Sequence, residues 1–484
     1  MLAGCAVGPD FERPAAPNAT GYTPEPLAPR TASAGAPGGQ AQRLNTGLDL
    51  PGEWWRLFRS KALTSLVEKA LEANPDLAAA QAALRVAREN VYAQRGALLP
   101  SVDANFSASR QKVADDAFGN PADPSIFNLF TGQLNVSYTP DVFGGTRRSI
   151  ESLEAQADAQ RFQLEATYLT LTSNLAGAAV QEASLRGQID ATQTIIKIET
   201  DVLDLLRRQH AAGQVAEADV VAQEAALAQL QQSLSPLQKQ LAQQRNLLAA
   251  LSGRYPSEEP AEKFVLARIA LPRDLPVSLP SKLVEQRPDV RQAEANLHLA
   301  GAQIGVALAN RLPNITLSAN AGSNAFAIEN LLSPGTGFWS IAGSVTQPIF
   351  HGGTLLHREL AAKAAFDQAA DQYRSTVIVA FQNVADALRA LQADAVAMQR
   401  AVAAERAAAK SLDITRQRKE LGDINYLALL NAQQTYQQAL TNLVQARASR
   451  YSDTVALFQS LGGGWWNRSD VATEKTLSVA DVFR

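Results

Sequence analysis

The sequence contains one series of landmarks twice, about 210 residues apart, which is too long a period for a solenoid repeat. The paired landmarks are Asn74-Pro75-Asp76 and Arg287-Pro288-Asp289, Leu99-Pro100 and Leu312-Pro313, Phe143-Gly144-Gly145 and Phe350-His351-Gly352-Gly353, Ala212-Gly213-Gln214 and Leu421-Gly422-Asp423, and Leu251-Ser252-Gly253 and Leu461-Gly462-Gly463. Because the order is kept, we predict two tandem copies of one unit, residues 51–253 and 281–464. Residues 254–280 are predicted to be a linker in an equatorial region.

Each unit is predicted to contain a short helix that ends at its Leu-Pro pair, followed by two strands. The strands are placed at about 101–110 and 131–140 in the first unit, and at about 314–322 and 338–347 in the second. Apolar and small polar residues alternate along them, as Val102 and Phe106 do with Asp103 and Asn105, so the two kinds lie on opposite faces. Strands of about 10 residues can cross a bilayer when tilted, although a half-buried soluble sheet gives the same alternation.

A helical hairpin is predicted after each pair of strands. The segment Leu355 to Leu421 contains neither Gly nor Pro, which corresponds to roughly 100 Å of α-helix. The helices are placed at about 146–212, 216–252, 354–421 and 424–461. Leucine recurs every seven residues at Leu227, Leu234, Leu241 and Leu248, which indicates coiled-coil packing. Gly213 and Gly422 lie between the helices, where a left-handed residue commonly ends a helix.

Cys5 is the only cysteine, and Leu2-Ala3-Gly4-Cys5 matches a bacterial lipobox. Residues 1–5 are interpreted as residual signal peptide and lipid site, with diacylglyceryl and acyl chains on Cys5, although a chance cysteine is the alternative. Ala6 rather than Asp follows, which favours the outer membrane as the destination. Residues 6–50 are rich in Pro, Gly, Ala and Thr and are predicted to form an extended tether, and residues 465–484 form a C-terminal tail.

The balance of charge argues against a nucleic-acid partner. The chain has 44 Lys+Arg and 47 Asp+Glu, whereas nucleic-acid-binding proteins usually have a basic excess. The histidines are His210, His298, His351 and His357, and none pairs with another at metal-ligand spacing. The sequence also lacks a phosphate-binding loop and a nucleophile elbow. We therefore expect no metal, no cofactor apart from the lipid on Cys5, and no enzymatic activity.

The predicted strands are too few to close a membrane barrel, since the smallest barrels have about eight. An open strand edge cannot face lipid, because its N–H and C=O groups find no water there. We therefore expect a barrel shared between several copies, with the hairpins continuing it as a tube roughly 100 Å into the periplasm. These arguments leave two, three and four subunits open. The loops around 115–124 and 330–337 are expected to face outside the cell.

The chain resembles the TolC/NodT-like outer membrane factors, and more narrowly the lipoprotein channels of RND-type efflux systems. The resemblance covers nearly the whole chain and is carried by the lipobox, the duplicated Gly-turn hairpins, Val7-Gly8-Pro9-Asp10-Phe11 and Leu461-Gly462-Gly463-Gly464-Trp465-Trp466. It implies a mainly α fold with a membrane β-barrel portion, in a homotrimer with a 12-stranded barrel and a 12-helix periplasmic tunnel. It also implies a periplasmic adaptor protein and an inner-membrane RND-type transporter as partners.

In that family, residues on the return helix just beyond each turn glycine narrow the periplasmic aperture. The corresponding positions here are Asp219, Leu427 and Asn431. Family members often have Asp where Asn431 stands, so this level of the aperture is neutral in the present chain. Two simpler explanations stay open, because an acid such as Asp219 is favoured in any first helical turn and Leu427 can serve packing between hairpins.

The function implied is a passive exit duct for drugs or other small molecules across the periplasm and outer membrane. Two alternatives remain. A lipid-anchored coiled-coil adaptor without a pore would explain the heptads and the lipobox but not the alternating strands. An exit channel of a type I secretion system would share the same architecture.

Overall fold

The computed structural model describes residues 6–113 and 125–469. Cys5, the predicted loop at 115–124 and residues 470–484 of the tail lie outside these ranges. The described strands are β1 (Arg43–Asn45), β2 (Ser101–Val113), β3 (Ser125–Tyr138), β4 (Asp274–Pro276), β5 (Asn314–Ala325) and β6 (Gly337–Thr346). The described α-helices are α1 (Lys61–Ala73), α2 (Pro75–Gly96), α3 (Gly145–Ala211), α4 (Glu217–Leu251), α5 (Pro280–Gln286), α6 (Pro288–Ala309), α7 (Thr354–Glu420) and α8 (Tyr426–Ser460).

The two predicted repeats are present and meet in one antiparallel sheet of four strands, ordered β2-β3-β5-β6. The central pair joins the repeats, with Phe130 opposite Ala325 and Tyr138 opposite Leu317. Strands β3 and β6 lead into α3 and α7, each 67 residues long, and α4 and α8 return along them. The long helices begin and end within about two residues of the predicted bounds, which is the usual uncertainty of helix ends.

The strands differ more from their predicted bounds than the helices do. β3 covers Ser125–Tyr138 rather than 131–140, and β2 and β5 continue to Val113 and Ala325. The pairs Ile126-Phe127 and Leu129-Phe130 interrupt the alternation, but backbone pairing with β2 continues through them. β3 ends before Pro140, which has no N–H to donate to a strand ladder. β6 covers Gly337–Thr346 rather than 338–347.

The prediction that residues 6–50 form only a tether is wrong, because this segment packs along the folded units. Gln42 is fully buried and donates to the carbonyl of Pro272 at 3.1 Å and to Thr454 Oγ1 at 3.1 Å. Arg450 of α8 donates to the carbonyls of Gly38 at 2.7 Å and Gln40 at 2.9 Å. A Pro- and Gly-rich segment forms few hydrogen bonds within itself, so long polar side chains of the helices satisfy its backbone.

The main hydrophobic core surrounds the middle of the long helices. Trp54 and Phe58 pack against Phe458 of α8, with ring centroids 5.6 Å and 6.1 Å from it. The segment predicted to be a linker, residues 254–280, adds Phe264 and Leu275 to this core and pairs β4 in parallel with β1. It is therefore part of the folded equatorial layer. Among the helices of the described ranges, none combines the length and apolar character needed to cross a membrane.

Candidate functional site

The four-stranded sheet separates apolar and polar side chains by its register. One row across the four strands consists of Val102, Val136, Ala319 and Ile341, each opposite the next. Much of this face is exposed in the single chain, with 63% of Val102 and 77% of Ile341 accessible. A large exposed apolar surface marks contact with a membrane or another protein.

The neighbouring row lies on the other face and is polar. It consists of Asp103, Asn135, Asn320 and Ser340, and the Ser340 hydroxyl donates to Asn320 Oδ1 at 3.0 Å. A sheet with one apolar and one polar face can separate lipid from water. The outer edges of β2 and β6 have no strand partner within residues 6–113 and 125–469, so the sheet can be extended by further strands.

The hairpin turns lie at the opposite end of the long helices. Gly213 follows α3 with φ of 71°, and Gly422 follows α7 with φ of 77°. The N–H of Gln214 donates to the carbonyl of Gln209 at 2.9 Å, and that of Asp423 to Arg418 at 3.0 Å. Both turns thus end a helix by a left-handed residue followed by a bond back into the last turn.

A second apolar cluster lies just inside the turns and joins the two hairpins. Its buried members are Leu203, Leu206, Val220 and Leu227 from the first hairpin, and Leu412, Tyr426, Leu429 and Leu430 from the second. We call these residues the tip cluster. Because both hairpins contribute, movement of one hairpin against the other would separate apolar surfaces.

A chain of buried polar groups crosses the tip cluster. Gln223 of α4 donates to the carbonyl of Glu199 at 2.9 Å and to its carboxylate at 2.8 Å. The Tyr426 hydroxyl of α8 donates to the amide oxygen of Gln223. Burial raises the pKa of the Glu199 carboxyl, and hydrogen bonds from Gln223 oppose this effect. Burial also raises the pKa of the Tyr426 hydroxyl, with help from the neighbouring carboxylates of Glu199 and Asp219.

The heptad pattern of the sequence does not predict this polar chain. The signal was present, because Gln223 lies three residues after Val220 and four before Leu227, which is a core position of an amphipathic helix. A glutamine at such a position needs buried partners, since an unsatisfied buried amide is costly. The sequence could not identify the partners, because they lie on α3 and α8.

The three predicted aperture residues differ in their exposure and in their distance from the tip cluster. Asp219 is half-buried in the first turn of α4 and lies near Tyr426. Leu427 is 61% exposed and Asn431 is also exposed, one turn apart on the same face of α8. The exposed pair therefore points away from the tip cluster, whereas Asp219 adjoins it.

Two of the four histidines make contacts within the fold. His210 Nδ1 is 3.1 Å from the carbonyl of Val215 beside the first turn, and His298 Nε2 is 2.8 Å from Glu151. In the described part of the chain, no group of three or more His, Cys, Asp or Glu side chains is arranged to hold a metal ion.

Comparison with known proteins gives one consistent result. A family model described as "Outer membrane efflux protein" matches residues 66–254 and 279–463. The chain is 30% identical over 477 residues to the toluene efflux pump outer membrane protein TtgF of Pseudomonas putida, covering 97% of this chain and 96% of that protein. It is 28% identical over 446 residues to the pyoverdine export outer membrane protein OpmQ of the same species, covering 91% and 94%.

The fold also matches solved structures. The open-state structure of the Neisseria gonorrhoeae MtrE outer membrane channel superposes with a TM-score of 0.81 at 28% identity, and covers 97% of this chain and 100% of that one. The two matched segments of the family model coincide with the two structural repeats.

Proposed function

The chain belongs to the outer membrane efflux protein family, and from this we propose that it is the passive exit duct of a tripartite efflux pump. The observation that carries the proposal is the sheet with one exposed apolar face, one polar face and open edges, which is joined directly to two helices of 67 residues, each roughly 100 Å long. Such a sheet continues from a membrane layer into a helical conduit without interruption.

The open edges favour a shared barrel in a homotrimer. Each copy would pair its β2 edge with the β6 edge of a neighbour, so three copies give about twelve strands, above the roughly eight that closure requires. The apolar rows would then face lipid and the polar rows water. The sheet alone does not set the number of copies, and the choice of three rests on the family.

The proposed partners are a periplasmic adaptor protein and an inner-membrane RND-type transporter, which would supply the energy and select the cargo. The cargo would be small molecules, since two relatives are named for toluene efflux and pyoverdine export. The family is one of transport proteins, and we propose no catalytic step for this chain. Lipid attachment at Cys5 remains a proposal that rests on the lipobox.

We place a gate at the hairpin turns, formed by Asp219, Leu427 and Asn431. The exposed leucine would form an apolar ring that resists wetting, and Asp219 would favour cations. Leu427→Ala should raise single-channel conductance or open probability in planar bilayers, and Asp219→Ala should lower cation selectivity. Intact oligomers of both variants that conduct like the parent would place the aperture elsewhere.

The proposed function is tested by purification and reconstitution. On SDS gels, a duct should migrate as an oligomer in unheated samples and as a monomer after heating. It should also form ion-conducting channels in planar bilayers. A lipid-anchored adaptor without a pore would become soluble once the lipid is removed and would not conduct. The exposed apolar row on the sheet favours the duct, because a periplasmic adaptor without a pore would expose this apolar surface to water.

A further inference from the structure

The first described residues dock at the joint between the sheet and the long helices. The Val7 N–H donates to the carbonyl of Phe143 at 3.0 Å, immediately before α3. Gly8 has a φ of 97°, and a Cβ on it would lie 2.5 Å from the Cα of Gly305. A Cβ on Gly144 would lie 2.5 Å from the Cα of Ala6. The backbone therefore approaches two helices so closely that glycine is required. We call residues 6–13 the N-terminal clasp.

A buried arginine holds the clasp. Arg148 of α3 is 4% exposed, and its Nε donates to the carbonyl of Val7 at 3.0 Å. Its Nη2 donates to the carbonyl of Gly8 at 3.2 Å and to Asp10 at 2.8 Å, and its Nη1 to Glu151 at 2.7 Å. A guanidinium is buried only when its donors are satisfied, and most partners of this one belong to the clasp.

The other end of the clasp is fixed on α6. Phe11 stacks on His298 with ring centroids 4.2 Å apart and planes 16° from parallel. Arg13 pairs with Glu294 at 3.1 Å, and Glu294 is itself buried. The segment is thus held by a hydrogen-bonded backbone, a ring stack and an ion pair within a few residues.

Among residues 6–113 and 125–469, the second repeat has no equivalent of this arrangement at its own joint. Gly353 precedes α7 with φ of 84°, as Gly144 precedes α3 with φ of 78°. Four residues later the first repeat has the buried Arg148, whereas the second has the exposed His357. A Cβ on Gly144 would meet the clasp, whereas one on Gly353 would meet only His357, at 3.5 Å. The duplicated units therefore differ at the place where the N-terminus docks.

We propose that the N-terminal clasp fixes the exit point of the N-terminus at the sheet–helix joint, so that acyl chains in front of Ala6 enter the same membrane as the strands. This inference rests on the proposed membrane insertion and lipid attachment. Tyr22 is fixed independently of the clasp, because its hydroxyl donates to the carbonyl of Ser278 at 2.8 Å. Without the clasp, the roughly 16 residues before Tyr22 would form a flexible linker with a reach of about 20–25 Å. A clasp that removes this freedom raises the effective concentration of the lipid at the bilayer next to the strands.

The experiment separates docking from anchoring. Full-length protein is expressed behind a cleavable signal peptide in two series, one with Cys5 and one with Cys5→Ser. Each series contains the parent, Arg148→Met and Arg311→Met. Arg311 lies at the sheet–helix joint of the second repeat and pairs with Glu359, so it is a control arginine outside the clasp, although its side chain is more exposed than that of Arg148. Hydrogen exchange of residues 6–13 is measured in the three Cys5→Ser proteins. The yield of the membrane-inserted oligomer is measured in all six proteins.

The clasp predicts that Arg148→Met accelerates exchange of residues 6–13 by about tenfold or more, while α3 beyond its first turns and the Arg311→Met variant stay like the parent. It also predicts that Arg148→Met lowers oligomer yield several-fold with Cys5 present and has no further effect in Cys5→Ser. Equal exchange in parent and Arg148→Met would overturn the docking. An equal loss of oligomer with and without Cys5 would overturn the link to the anchor. A parent oligomer that does not conduct would contradict the duct while leaving the exchange result intact.

Discussion

At the scale of single residues, the tip cluster depends on a few polar side chains. Tyr426 and Gln223 form a hydrogen bond that joins the second hairpin to the first within the tip cluster, among leucines of both hairpins. The bond is specific in direction, because a phenol can donate only one proton. It therefore fixes the relative register of the hairpins more sharply than apolar packing alone.

Tyr426→Phe removes the hydroxyl and keeps the ring in the tip cluster. The buried amide of Gln223 then loses a donor, which costs about 1–3 kcal/mol and favours separation of the hairpins. We expect a several-fold rise in channel open probability in planar bilayers. Tyr436→Phe on the same helix is the control, since within the described ranges the Tyr436 hydroxyl makes no hydrogen bond, and it should behave like the parent. An unchanged open probability in intact Tyr426→Phe oligomers would show that the bond does not hold the tip closed.

A carboxyl pair between α7 and α8 predicts a dependence of stability on pH. Burial, followed by the adjacent Asp394, raises the pKa of Asp453 to about 7. The folded chain then binds a proton that the unfolded chain releases above about pH 4, so this contribution to stability is lost as pH rises from about 4 to 7. Asp453→Asn should therefore gain thermal stability relative to the parent as pH increases from 5 to 8. Asp413→Asn, on the exposed face of α7, is the control and should follow the parent at every pH. If the melting temperatures of the parent and of Asp453→Asn changed equally between pH 5 and 8, the raised pKa of Asp453 would be refuted.

At the scale of elements, the periodicity of the sequence predicted most of the architecture. The alternation from Val102 to Phe106 predicted the two faces of the sheet, because register preserves the face of each side chain. The packing of residues 6–50 was not predictable, because Pro- and Gly-rich sequence carries no sign of distant partners such as Arg450. The hydrogen bonds of Gln223 were missed for the same reason, since a heptad pattern records apolar positions only.

The turn glycines give a prediction for the hairpins. Gly213 has a positive φ and open space around a hypothetical Cβ, so Gly213→Ala should cost about 1–2 kcal/mol through backbone strain alone. Gly177 lies inside α3, also with open space, so Gly177→Ala should instead stabilise the helix by about 0.5–1 kcal/mol. Hydrogen exchange along α3 and α4 measures both. If both substitutions changed the stability of the helices in the same direction, the left-handed conformation of Gly213 would be contradicted.

At the scale of the whole molecule, one chain combines a four-stranded sheet, a central hydrophobic core and two long helical hairpins. Each polar row of the sheet would face the lumen, and the row through Asn135 and Asn320 begins at Asp103. Several copies of Asp103 would then form a ring of negative charge around the pore. Ala104, one position further along β2, would face lipid instead.

The reversal potential of single channels in planar bilayers under a salt gradient tests whether the polar face of the sheet lines the lumen. A ring of Asp103 carboxylates predicts a cation-preferring parent, and Asp103→Lys should shift the reversal potential towards anion selectivity without loss of the oligomer. Ala104→Lys should instead reduce membrane insertion, because a lysine facing lipid is unfavourable, by up to about 2–4 kcal/mol at mid-membrane and by less towards the interfaces. Inserted Asp103→Lys oligomers with the selectivity of the parent would contradict a lumen lined by the polar face of the sheet.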